Sequence, residues 1–122
     1  MRDVSHLIGI PFKYGGRGPD YLDCYGLVML LKREDGIILP DAISPDNPKA
    51  AAECFAAGMS HWRPCEIRPG AVLGFKVLGA VSHVGYVLDK FSFVHTWEHS
   101  GGVCIEPISE WQRRIAGSYD FV

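Results

Sequence analysis

The apolar residues of this 122-residue chain change period partway along, and that change restricts the fold it can adopt. In the first half, Cys24, Leu27, Val28 and Leu31 fall at i, i+3, i+4 and i+7, one face of a helix. Asp23 is a strong N-cap before them, Lys32 to Asp35 make a solvated end, and Gly36 is a stop. Asn47 then Pro48 reads as a second N-cap, with Pro at the first helical position. The Ala-rich run Lys49 to Ala57 is predicted helical and Gly58 ends it. Beyond residue 70 the pattern becomes short β-prone runs: Val72 to Leu78, Val84 to Leu88, Phe91 to Trp97 and Val103 to Ile105. Ser109 to Ile115 has room for one or two helical turns, and Tyr119 to Val122 for a last strand. Helices first and strands after predict an α+β fold, with an antiparallel sheet against the helical half.

The rest of the chain reads as connection. Residues 1–8 are predicted to form a helical turn or two. Gly9 to Asp20 is too rich in Gly and Pro for regular structure, and a long ordered loop of this kind is usually functional. Ile37 to Pro40 is a short apolar exit, Asp41 to Asp46 a second loop, and 59–70 an irregular connection.

Residues 1–122 are expected to form a single domain, since a domain runs to roughly 150 residues. The 12 basic and 14 acidic side chains give a net charge of −2, against a dedicated nucleic-acid binder. No run approaches the ~18 apolar residues of a membrane span. Met1 to His6 is not followed by a long apolar segment, so no signal peptide is expected and synthesis in the cytoplasm is. Cys24, Cys54, Cys65 and Cys104 form no C-x-x-C pair and read as thiols in a reducing compartment.

Cys24 stands apart because it opens a helix directly after an irregular loop. Unpaired N–H groups and the helix dipole there lower a thiol pKa, and the same N–H groups can hold an oxyanion. The plain alternative is a small buried hydrophobe, the usual state of a free cysteine. A nucleophilic thiol needs a base, and the base an orienting partner. His83, in Ser82-His83-Val84-Gly85, and His95, in Phe93-Val94-His95-Thr96, are the candidates. A two-residue turn at 89–90 would put the two histidines on opposite faces of a hairpin. A three-residue loop over 89–91 would pair 88 with 92 and 85 with 95, making the histidines diagonal neighbours on one face. The second register is the one expected, with Gly85 leaving room for the His95 ring.

Other chemistries fit less well. His95 and His99 are spaced H-x₃-H, but the zincin pattern needs Glu directly after the first His on a helix, and no metal is expected. Gly15-Gly16-Arg17-Gly18 lacks the Lys-Ser/Thr of a phosphate loop. Trp62, Trp97 and Trp111 read as packing.

The ordered set Pro11-Phe12-Lys13-Tyr14-Gly15-Gly16, Asp23-Cys24-Tyr25-Gly26-Leu27-Val28, Ile38-Leu39-Pro40, Arg68-Pro69-Gly70-Ala71-Val72-Leu73, Ser82-His83-Val84-Gly85-Tyr86-Val87 and His95 resembles the NlpC-type papain-like cysteine peptidases, bacterial and phage cell-wall endopeptidases. The resemblance runs from about residue 8 to residue 120. It implies a papain-like α+β core, a catalytic Cys24, His83 and His95, and no cofactor. The implied substrate is a peptidoglycan stem peptide, commonly cut between γ-D-glutamate and a diamino acid. Phe12, Tyr14, Asp23, Tyr25 and Ser82 are the implied substrate-binding residues. Three positions depart from the family pattern: Phe12 stands for Tyr, Tyr25 for Ser, and Ala71 for Asp. Asp-Cys-aromatic-Gly in a compact domain is similar to versions from phage tails and prophages, which implies phage tail or lysis proteins as partners. The same departures motivate an alternative, a structural subunit of a tail tip with weak or lost activity. A third reading keeps the chemistry and changes the reaction, to an amidase or an acyltransferase.

Overall fold

The computed structural model describes residues 2–41 and 48–121. The helices are α1 (Cys24–Glu34), α2 (Pro48–Gly58) and the short α3 (Ile108–Trp111). The strands are β1 (Trp62–Pro64), β2 (Val72–Val77), β3 (Ala80–Val87), β4 (Ser92–His95), β5 (Cys104–Pro107) and β6 (Ile115–Phe121). They form one antiparallel sheet in the order β1-β6-β2-β3-β4-β5. The α+β class expected from the change of period is the one observed. Among the described residues, no helix is long and apolar enough to cross a membrane.

Alternation along the strands gives the sheet two different faces. Val72, Val84, Tyr86 and Val94 point toward α1 and pack with Leu27, Val28 and Leu31, joined by Val4, Leu7, Leu22, Leu39 and Val103. Leu73, Phe75, Val87 and Phe93 point the other way and pack under Ile108 and Trp111. The second cluster is where the histidines will be found.

Several boundaries differ from the sequence reading. Residues 5–9 make turns rather than a helix. The irregular connection contains β1, which pairs only with the end of β6, so no local pattern announces it. β3 starts at Ala80 rather than Val84, because Leu78 (φ 52°) and Gly79 (φ 80°) make a two-residue turn and Val77 pairs with Ala80. Consecutive positive φ values suit such a hairpin turn, but Leu is not a residue that signals one. β6 begins at Ile115, four residues before the predicted start, and β5 runs on to Pro107. The Lys49 to Ala57 helix is present within α2. The Asn47 cap and the 42–46 loop lie outside the described residues.

Candidate active site

The loop before α1 is built around one carboxylate. Asp23 is 2% exposed. Its Oδ1 accepts from the Gly26 N–H (2.7 Å) and from Arg17 Nη1 (2.8 Å), and its Oδ2 from the Gly15 N–H (2.9 Å). It is the N-cap that the sequence predicts, and also the pin that holds residues 15–17 against the helix start. Both its oxygens accept hydrogen bonds from within the protein. Gly26 lets loop and helix touch: a Cβ there would lie 2.1 Å from the Gly16 carbonyl oxygen.

Cys24 is therefore set at the first position of α1, with partial exposure. Burial pushes its thiol up to about 11, while the N–H groups of Val84, Tyr25 and Cys24 itself pull the other way. Desolvation of the thiolate thus works against the three N–H dipoles that favour it at this helix start. The Val84 N–H brings the sulfur to the residue that follows His83.

The β3–β4 register decides the rest. Tyr86 pairs with Val94 and Val87 with Phe93, and the Leu88 N–H bonds the Ser92 carbonyl. This is the three-residue-loop register, and it puts His83 and His95 on one face. His83 Nε2 lies 2.8 Å from His95 Nδ1. The Gly85 space is taken not by the His95 ring but by Phe93 and Phe75, whose atoms would stand 2.9 and 3.2 Å from a Cβ. Both imidazoles are buried, His83 at 5% exposure and His95 at 0%, among Phe75, Phe93, Trp97 and Trp111.

His95 has a second partner that the sequence reading missed. Its Nε2 lies 2.5 Å from Glu106 Oε2 on the edge strand β5. Cys104 pairs directly with His95, and Glu106, two residues on, shares that face. The signal is the alternation Cys104-Ile105-Glu106, which a strand ending at Ile105 cuts short. Together these make a buried line of hydrogen-bonding atoms from His83 through His95 to a half-exposed carboxylate. His95 Nε2, Cys104 Sγ and a Glu106 oxygen also lie within 4.8 Å of one another and could hold a metal ion.

Of the other predicted site residues, Phe12 and Tyr14 lie in the loop, Tyr25 in the first turn of α1 and Ser82 on β3. Phe12 packs edge-on against Tyr14 with ring centroids 4.9 Å apart, and the Tyr14 hydroxyl donates to Glu98 (3.3 Å). The Tyr25 hydroxyl donates to the Pro40 carbonyl (2.6 Å). Ser82 is half-buried on β3. Cys65 lies 3.7 Å from the Ser118 hydroxyl, on the far side of the sheet order from Cys104.

Burial, and next the proximity of His95, push His83 down to about 3, and burial also lowers His95, against the pull of Glu106. Both rings are therefore neutral near pH 7, beside a protonated thiol. Between the ordinary histidine value and about 3, the unfolded chain binds a proton at His83 that the folded chain refuses. Stability is then full above pH ~6.5 and lost as pH falls, by about 2 kcal/mol from His83 alone between pH 6.5 and 5. Urea midpoints at the two pH values measure this. The drop should shrink in His83→Gln, and an equal drop in both proteins would contradict it.

A model of the NlpC/P60 family matches residues 9–119. A probable endopeptidase of Mycobacterium tuberculosis is 29% identical over 101 residues, covering 83% of this chain and 23% of that protein. A probable endopeptidase of Mycobacterium bovis matches with the same figures. The chain thus spans about a quarter of the length of these curated relatives. Among solved structures, an NlpC/P60 family protein from Bacillus cereus superposes with a TM-score of 0.71 at 18% identity, covering 94% of this chain and 36% of that one. The NlpC/p60 domain of the peptidoglycan hydrolase SagA gives 0.66 at 17% identity, covering 96% and 91%. At these identities the structures speak for the fold.

Proposed function

The chain belongs to the NlpC/P60 family, and on that premise we propose that it is a cysteine peptidase domain that hydrolyses an amide bond of a peptidoglycan stem peptide. The observation that carries the reading is the ordered line His83, His95, Glu106, with separations of 2.8 and 2.5 Å, together with the Val84 N–H, next to His83 in the chain, that reaches the Cys24 sulfur.

Elementary hydrogen bonding sets the direction of the line. A carboxylate only accepts, so Glu106 fixes the proton of His95 on Nε2. The bare His95 Nδ1 then accepts from His83 Nε2–H. That leaves the His83 Nδ1 lone pair as the base for the thiol of Cys24. The thiol attacks the carbonyl carbon as its proton passes to His83 Nδ1, and the backbone N–H of Cys24 holds the oxyanion. Collapse breaks the C–N bond, and His83 protonates the leaving amine. Water then attacks the thioester through the same base, releasing the carboxylate product and restoring the thiol. A resting pair that is neutral on both sides keeps this proton transfer tied to the attack.

Glu106→Gln removes the obligate acceptor and frees His95 to take the other tautomer. We expect kcat to fall roughly 10- to 100-fold with KM nearly unchanged, a loss of positioning rather than of binding. A rise in KM with kcat intact would contradict that role.

The bond between γ-D-glutamate and a diamino acid is the finer assignment, and Phe12, Tyr14, Tyr25 and Ser82 are the residues proposed to meet the peptide. Delivery by a phage tail is the reading that the Asp23-Cys24-Tyr25-Gly26 motif favours. The test is digestion of purified peptidoglycan by wild type and Cys24→Ala, with fragments identified by mass. New diamino-acid amines that depend on Cys24 support the endopeptidase. A freed L-Ala amine would make it an amidase, and no Cys24-dependent fragment would leave the structural-subunit reading.

A further inference from the structure

The outer end of the histidine line carries a thiol that the hydrolysis does not use. Cys104 is the direct cross-strand partner of His95, and Glu106 lies on the same face of edge strand β5. Glu106 Oε2 is 2.5 Å from His95 Nε2 and 4.0 Å from Cys104 Sγ. We infer that His95, Cys104 and Glu106 form a site for a borderline-soft divalent cation, Zn²⁺ above all, and that the bound ion switches the histidine line off.

The donor set is one imidazole nitrogen, one thiolate sulfur and one carboxylate oxygen, a combination that suits Zn²⁺ rather than Mg²⁺ or Ca²⁺. Zinc bonds of about 2.0–2.3 Å in tetrahedral geometry need donors about 3.3–3.8 Å apart. From the observed positions, the carboxylate has to swing away from Nε2 by roughly 1 Å and the sulfur to close in by roughly 0.5–1 Å, since the three donors already lie within 4.8 Å of one another. Both side chains that must move are on an edge strand and only half-buried. His95, which must not move, is held from behind by His83, as metal-bound histidines usually are through their second nitrogen. Three protein ligands leave a fourth tetrahedral position for water.

The switch follows from where the hydrogens must go. A metal on His95 Nε2 requires that nitrogen bare, so the His95 hydrogen moves to Nδ1. Nδ1–H then donates to His83 Nε2, and the His83 hydrogen moves to Nδ1, the atom proposed as the base. Each ring keeps one hydrogen, and the Cys104 thiol releases one proton to solvent. The ion thus reverses the direction of the line without touching Cys24. The inhibition rests on the function proposed above, whereas the binding does not.

The test separates the two. In Cys24→Ala protein, where a Cys24–His83 metal site is impossible, Co²⁺ is titrated and thiolate-to-cobalt absorption in the near ultraviolet is read. We expect one Co²⁺ per chain, displaced by Zn²⁺, and its absorption lost when Cys104→Ser is added, with Zn²⁺ affinity weaker by roughly 100-fold. Cys104→Ala, which cannot ligate through oxygen either, should behave the same way. In otherwise wild-type enzyme, Zn²⁺ should lower kcat at constant KM, and Cys104→Ser should be active yet need at least about tenfold more Zn²⁺ for the same inhibition. Undiminished Co²⁺ absorption without Cys104, or binding only when Cys24 is present, would overturn the site. An inactive wild type would defeat the hydrolase reading while the cobalt titration still decided the metal site.

Discussion

Gly26→Ala is expected to lower stability by about 3 kcal/mol or more, the range of severe backbone overpacking. The added methyl would stand 2.1 Å from the carbonyl oxygen of Gly16. That oxygen cannot retreat, because it accepts from the Asp23 N–H (3.2 Å) and because a Cβ at Gly16 would itself sit 2.8 Å from the Leu22 backbone. Relief would have to come from separating the loop from α1, which breaks the Asp23 bonds to Gly15, Gly26 and Arg17 together. Gly58→Ala is the control. It has an ordinary φ and nothing within 4 Å of an added methyl, so its effect should stay within about 0.5 kcal/mol. Urea or thermal midpoints compare the two directly, and similar midpoints would contradict the close-contact explanation of the Asp-Cys-x-Gly motif.

His83→Ala is expected to reduce kcat/KM by about 10³-fold or more, the scale of a lost general base that also serves as acid. Its logic is tested by combination. If Glu106 acts only through His95 and His83, then Glu106→Gln should cost little further once His83 is alanine, because the tautomer it selects no longer matters. Additive losses in the double variant would mean that Glu106 reaches the reaction by another route. Cavity formation among Phe75, Trp97 and Trp111 accompanies the change. His83→Gln, closer in size, separates that structural cost from the chemical one.

The parts of this site that depend on local chemistry were legible in the sequence. Asp23 before Cys24 and an i, i+3, i+4, i+7 stripe define a helix start without knowledge of the fold. The β3–β4 register was legible because loop length fixes it. Asp89 holds the three-residue loop by accepting from the Phe91 and Ser92 N–H groups at 2.8 and 2.9 Å. What the sequence did not disclose depends on distant pairing. Glu106 reaches His95 from a third strand, and β1 exists only because the end of β6 lies beside it. The Leu78-Gly79 turn was hidden by a leucine at positive φ. The upward push on the thiol is not legible in the sequence either, because helix-terminus dipoles are a local property, whereas burial of the sulfur is set by the whole fold.

Trapping the covalent intermediate tests the central claim most directly. Wild-type protein mixed with a defined stem peptide is quenched in acid within the first turnovers, digested, and examined by mass for a thioester. The account predicts an acyl adduct on the peptide that contains Cys24, absent from Cys24→Ala and lost on treatment with hydroxylamine. An adduct on Cys54, Cys65 or Cys104 instead, or product release that persists in Cys24→Ala, would contradict it.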